Sequence, residues 1–248
     1  MLKKYLVKLT LLLPLIVVFS CRNSTSPEGF TISGKIPALS GQKVILKELD
    51  PKEIKTMDSL TVGASGNFIF SEKNGDAGFY LLQFEGGKEL VLSIETGDNP
   101  EISGDLKNIP ERLQVSGSEG TRLLKDFYSI ANKNKAKVDS LKSLLQAAEG
   151  SPDFYSLSLS ADSAYQKIAA AQKTIEKDFI DKHRESLASL IVLNYTLGTL
   201  PVLTMDEDLD YYQKLTALAV KYPNNKHVIY HQQRITVFLD KRSKPKFH

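Results

Sequence analysis

His227 and His231 stand four residues apart, and on a helix that step places two imidazoles on one face, where they could share a metal ion. A zinc protease carries a glutamate beside the first histidine; here that place is taken by Val228, and the sequence places no third ligand. Paired histidines on a helix surface need no metal, so the expectation is no metal centre. Asp206, Glu207, Asp208 and Asp210 crowd carboxylates into one short stretch, but the glycine and ligand spacing of a calcium loop are missing. Carboxylates in a helix's first turn complement its dipole and need no cation. Serine, histidine and aspartate all occur without a Gly-x-Ser-x-Gly elbow, which Gly63-Ala64-Ser65-Gly66 misses in spacing. A phosphate-binding loop is also missing. The expectation is therefore no catalytic residue, no cofactor and no enzyme activity.

Cys21 is the one thiol in the chain. Before it come Lys3, Lys4 and Lys8, then the apolar stretch Leu9 to Phe19, then the small Ser20. Eleven residues are too few for a transmembrane helix, which needs about 20. Val18, Phe19, Ser20 and Cys21 resemble the bacterial lipobox of aliphatic, variable, small and cysteine, although Phe19 is bulkier than that pattern usually carries. The resemblance implies that residues 1–20 are a lipoprotein signal peptide and that Cys21 is lipidated after cleavage. Each buried CH₂ is worth about 0.8 kcal/mol, so two or three acyl chains would hold the protein on a membrane for its lifetime. A thiol used as an anchor leaves no disulfide, CxxC pair or cysteine metal site in the folded part. Residues 21–29, rich in Asn, Ser, Thr and Pro, read as a tether without the acidic run that often marks export to the cell surface. The expected location is the outer membrane, facing the periplasm.

Without the three leader lysines, basic and acidic residues are equal in number, so charge offers no case for nucleic acid. The ending Lys241, Arg242, Lys244 and Lys246, interrupted by Pro245, reads as a solvated basic tail over 242–248. At 42% hydrophobic and 25% charged, the chain can bury an ordinary core.

The elements that must carry these residues fall into two kinds. From Phe30 onward apolar residues alternate (Phe30 and Ile32, Val44 and Leu46, Leu60 and Val62, Phe68 and Phe70), with glycine turns between them. Gly86-Gly87 closes a tight hairpin between Tyr80–Phe84 and Leu90–Ile94. Residues 30–117 therefore read as an antiparallel β-sandwich of about seven to nine strands. After Ser118 the period lengthens to about 3.5: Leu124, Phe127, Ala131, Val138, Leu141 and Leu145, with Asn134 as the polar step. The pattern resumes from Phe154 through Ile175. Gly150-Ser151-Pro152 offers a C-terminal glycine, a serine cap and a first-turn proline, which predicts a long antiparallel helical hairpin. A buried helix is expected over Leu187–Leu197, another from Thr204 with Glu207 completing a capping box, and a last one from about Asn225 to Asp240. The fold class is α+β, with a helical domain over 118–241.

The residues Phe30, Ile32, Gly34 and Ile36, then Asp58-Ser59, Gly66, Phe68, Phe70, Tyr80-Leu81-Leu82, and Ile102–Asp105 with Val115–Ser118 together resemble one module. It is the domain of unknown function that precedes the thioredoxin fold in membrane-anchored thiol-disulfide oxidoreductases of the TlpA and ResA type. Phe179–His183 and Lys221–Asn224 resemble, more loosely, the linker of that family. In those relatives a CxxC-bearing thioredoxin fold begins near the point where this chain reaches His248, so the resemblance implies architecture and location without the reacting residues. The expected function is a noncatalytic envelope lipoprotein that presents a surface to a periplasmic protein partner. One alternative is an accessory or truncated form of a thiol-disulfide oxidoreductase; another is a glycan-binding lipoprotein, disfavoured by the lack of Trp but kept open by ten Tyr.

Overall fold

The computed structural model of the protein describes residues 29–107 and 109–243. The expected signal peptide, Cys21, the tether up to residue 28 and the tail from residue 244 lie outside them. Eight strands come first: β1 (Phe30–Lys35), β2 (Lys43–Leu49), β3 (Ile54–Thr61), β4 (Asn67–Glu72), β5 (Gly78–Phe84), β6 (Glu89–Ile94), β7 (Glu101–Gly104) and β8 (Leu113–Ser116). They form two four-stranded sheets, ordered β4-β1-β7-β8 and β3-β2-β5-β6. Ile32, Phe70 and Ile102 from the first sheet face Leu46, Leu82 and Leu92 from the second across the expected sandwich core. Gly86 and Gly87 both take positive φ in the β5–β6 connection, and the Phe84 N–H donates to the Lys88 carbonyl at 2.8 Å.

Every described pairing between these strands is antiparallel except β1 with β7, where Ser33 lies opposite Glu101. Hairpin neighbours must run antiparallel, but β7 reaches β1 only after the chain has built the second sheet, so no tight turn dictates its direction.

In the second sheet, β5 is buried on both faces while the edge strand β3 is largely exposed. Along β5, Tyr80, Leu82 and Phe84 point into the sandwich while Phe79 joins a second core with the helices. Alternation has vanished there because neither face meets water.

The helices are α1 (Glu119–Ala147), α2 (Phe154–His183), α3 (Ala188–Leu193), α4 (Leu209–Lys214), α5 (Leu218–Lys221) and α6 (Lys226–Ser243). Ser118 caps α1: its hydroxyl accepts from the Thr121 N–H at 3.3 Å and donates to the Ser93 carbonyl at 2.9 Å, fastening the helix start to β6. The long hairpin is formed by α1 and α2. Near the core it is tight, around Leu124, Phe127, Ala131 and Ile180. Further out, Val138, Leu141 and Leu145 are only half-buried and Leu144, Phe154, Tyr155 and Leu159 are exposed, leaving an open groove between the two helices.

Three local expectations are corrected. Gly150 has the left-handed φ expected of a helix stop, but α2 starts two residues later than predicted. The Ser151 and Phe154 N–H groups close a tight turn onto Ala148 and Ser151 carbonyls, so Ser151 and Pro152 belong to the turn. The predicted helix over Leu187–Leu197 ends at Leu193, because the Asn194 side chain donates back to the Leu190 carbonyl and Gly198 turns the chain into a two-residue hairpin, β9 (Thr196–Leu197) with β10 (Leu200–Pro201). Thr204 does accept from the Glu207 N–H, but Asp208, not Glu207, returns the bond to the Thr204 N–H, and the helix proper begins at Leu209. Among the described residues no helix is long and apolar enough to cross a membrane.

Candidate functional site

Four residues of α6 spaced i, i+3, i+4 and i+7 (His227, Tyr230, His231 and Arg234) form one face of that helix. They line a cleft of about 500 Å³ where the sandwich meets the helices. Leu49, Pro51 and Phe79 come from the strand side, and Tyr128 of α1 with Leu190, Ile191 and Tyr195 from the helical side. Tyr128 and Tyr195 meet edge to face at 6.1 Å between ring centres, and Phe79 meets the His227 ring at 4.5 Å. The cleft is held open by fixed links on its flank: Asn225 donates to the Ala77 carbonyl at 2.6 Å, and Lys226 pairs with Glu48 and Asp50.

The two histidines are not on a surface, as the sequence suggested. His227 is 8% exposed and His231 2%. Burial pushes the His227 imidazole down to about 4 and lowers His231 as well, so both rings are neutral at physiological pH. His231 Nε2 lies 2.8 Å from the Tyr212 carbonyl, which can only accept, so that nitrogen carries the proton and Nδ1 is a bare acceptor. Nδ1 has no hydrogen-bond partner and is shut off from solvent, as is His227 Nε2. Among the described residues no group of three or more His, Cys, Asp or Glu is gathered to hold a metal ion.

Arg234 donates to the Asn194 side-chain oxygen at 2.6 Å and makes no ion pair with a carboxylate among the described residues. It is a cation at the edge of an apolar cleft with most of its guanidinium fork unspent. The chemistry on offer is one strong anion donor and walls of aromatic and aliphatic side chains. Such a lining could contact an anionic or apolar ligand.

The acidic stretch is drawn apart by the fold. Asp208 is 1% exposed and lies between Lys173 at 2.9 Å and Lys177 at 2.8 Å, while Glu207 reaches Lys173 from outside. Burial alone would raise the Asp208 carboxyl, but hydrogen bonds from the two lysines and the Thr204 N–H outweigh it and hold it below the usual carboxylate range. The helix-dipole account suits only Asp210, since Asp208 clamps α4 onto α2. The basic residues Lys241 and Arg242 fall in the last turn of α6, where cations complement the dipole.

Sequence reasoning did not single out two glutamates, one of which joins the strand and helical lobes. Glu95, just after β6, accepts from the Ser186 hydroxyl, the Leu187 N–H, Lys221 and the Tyr222 hydroxyl. Burial would raise this carboxyl, and the bonds from Tyr222 and Lys221 hold it below its ordinary value. Glu176, fully buried on α2, is the other. A glutamate carries no local mark of burial in the sequence, so only the third dimension reveals either.

Residues 30–124 match the family model of a domain of unknown function, DUF4369. The match covers the eight-stranded part and the first turn of α1, and it leaves most of the helical part unmatched. A protein from Eubacterium rectale solved by NMR is similar at 15% identity over 37% of this chain and 90% of its own, with a TM-score of 0.23, too slight a likeness to bear on fold or function. No curated protein matches the chain.

Proposed function

We propose that the chain is a noncatalytic, lipid-anchored binding module of the bacterial cell envelope. It is tethered through acylated Cys21, most simply to the periplasmic face of the outer membrane, and holds a protein partner at the junction of its two lobes. The single observation that carries the binding role is the cleft itself, where Arg234 has no carboxylate partner among the described residues and stands beside aromatic walls. A guanidinium at the rim with donors to spare can bond an anionic group of a ligand with charge-assisted strength. The leader and lipobox resemblance supports the anchor.

The test uses the full-length protein made in a bacterial host and extracted with detergent. Its intact mass is expected to show cleavage before Cys21 and added acyl chains. A photoreactive residue at Tyr230, on the exposed rim of the cleft, is expected to crosslink one envelope protein in living cells, and the same probe at Ile69, on the far sheet, is not. An unmodified Cys21 would sink the anchor, and turnover of a substrate by the purified chain would sink the noncatalytic reading. A crosslinked partner with a CxxC thioredoxin fold would instead make the chain an accessory of thiol-disulfide exchange.

A further inference from the structure

We infer that the cleft between the lobes recognises the free C-terminus of a partner polypeptide that ends in a large apolar residue. This rests on the binding role proposed above and adds the chemistry of what is bound.

A terminal residue brings three features together within a few ångströms: a carboxylate, a backbone N–H and a side chain. The cleft lining provides a counterpart for the carboxylate and for the side chain. Arg234 makes no ion pair among the described residues, and its planar fork suits a carboxylate better than any neutral group. One of its N–H groups is already tied to Asn194 at 2.6 Å, which fixes the fork at the rim without using its remaining donors. His231, whose Nε2 proton is committed to the Tyr212 carbonyl, keeps Nδ1 closed off from solvent and so lends the cleft its ring as packing surface and no acceptor. Arg234 and His231 are three residues apart on α6, hence neighbours on one face. The floor of Leu49, Phe79, Leu190 and Ile191 is apolar, with Tyr128 and Tyr195 as an aromatic wall, and the volume of about 500 Å³ accommodates one large side chain and its backbone.

The charge balance decides against the other occupants. A cationic or neutral apolar ligand would leave Arg234 unpaired in a partly buried place. An acidic side chain inside an extended polypeptide would satisfy Arg234, but its neighbouring side chains point to the opposite face and away from the floor. A free apolar amino acid has the same carboxylate and side chain, and it differs in bearing a charged ammonium group.

The full-length protein in detergent would be titrated, by fluorescence polarisation, against an N-terminally labelled peptide ending in Ala-Ala-Phe, as free acid and as C-terminal amide. The free acid is expected to bind tenfold to a hundredfold more tightly, the loss typical of a charge-assisted hydrogen bond. In Arg234→Gln the two forms should bind alike, and Arg234→Lys should keep part of the difference, since it retains the charge without the fork. Because Arg234 is partly exposed and not in the core, both variants are expected to keep the wild-type circular dichroism. Equal binding of acid and amide by the unaltered protein, discrimination that survives in Arg234→Gln, or no binding of either peptide at millimolar concentration would each overturn the inference. Unlabelled phenylalanine competing as well as the peptide would also overturn it, by assigning the site to a free amino acid. If the peptides fail while Tyr230 still crosslinks a partner, the binding role stands and only the C-terminal chemistry falls.

Discussion

Glu176 shows how a single carboxyl makes stability depend on pH. Asn134 donates to Gln172 at 2.9 Å, Gln172 donates to one Glu176 oxygen at 3.1 Å, and the other oxygen has no partner. Burial, partly opposed by the Gln172 bond, pushes the carboxyl up to about 8. In the unfolded chain it titrates near 4.5, so between those values the folded state binds more protons. Its contribution is fully present below the unfolded value and is lost as pH rises through about 8. Chemical denaturation at several pH values is expected to show Glu176→Gln matching the parent near pH 5 and exceeding it by about 1–3 kcal/mol near pH 9. An unchanged pH slope would mean that water reaches the unpaired oxygen. Asn134 was legible as the polar interruption of an apolar seam; its partners were not, because periodicity gives each helix its face but not the register between two helices. The histidines failed for a related reason. Their four-residue spacing gave the shared face correctly, while their burial depends on Phe79 and Gly78 arriving from a strand more than a hundred residues earlier.

At the level of elements, two-residue alternation and the lengthened period after Ser118 located the strands and the two long helices, because each repeats one signal many times. Short α3, α4 and α5 carry too few turns for that, and single side chains such as Asn194 decide where they stop. The doubly buried β5 carries an unbroken apolar run, Phe79-Tyr80-Leu81-Leu82, as cover on both faces requires, whereas in the sequence alone it reads only as an arm of a hairpin. The join is close at Gly120, where α1 starts against β6. A Cβ there would lie 2.9 Å from both the carbonyl and the hydroxyl oxygen of Ser93. Replacing glycine with alanine inside a helix ordinarily stabilises by about 1 kcal/mol, but overpacking against backbone costs about 1–3 kcal/mol, so the clash wins. Gly120→Ala is expected to lower the urea midpoint; a raised midpoint would show that α1 can lift from β6 without penalty.

Over the whole molecule, the strand and helical lobes share the core around Phe79 and the bonds that converge on Glu95, so they should melt together. Near- and far-ultraviolet circular dichroism are expected to give one coincident transition for the parent protein. Glu95→Ala removes four hydrogen-bond donors' common acceptor and leaves the Tyr222 hydroxyl buried; it is expected to cost about 2–4 kcal/mol and to separate the two curves. Curves that remain superimposed would assign the coupling to the apolar contacts alone. The same rigidity gives α1 a mechanical character. Tyr128 stands at the cleft and Ala147 at the free end of the same helix, roughly 28 Å further along at 1.5 Å per residue. With the fastened start of α1 as fulcrum, a tilt of about 10° swings that end, roughly 42 Å from the pivot, through roughly 7 Å. Whatever seats itself against Tyr128 thus presses on the short arm of a lever whose long arm reaches into solvent.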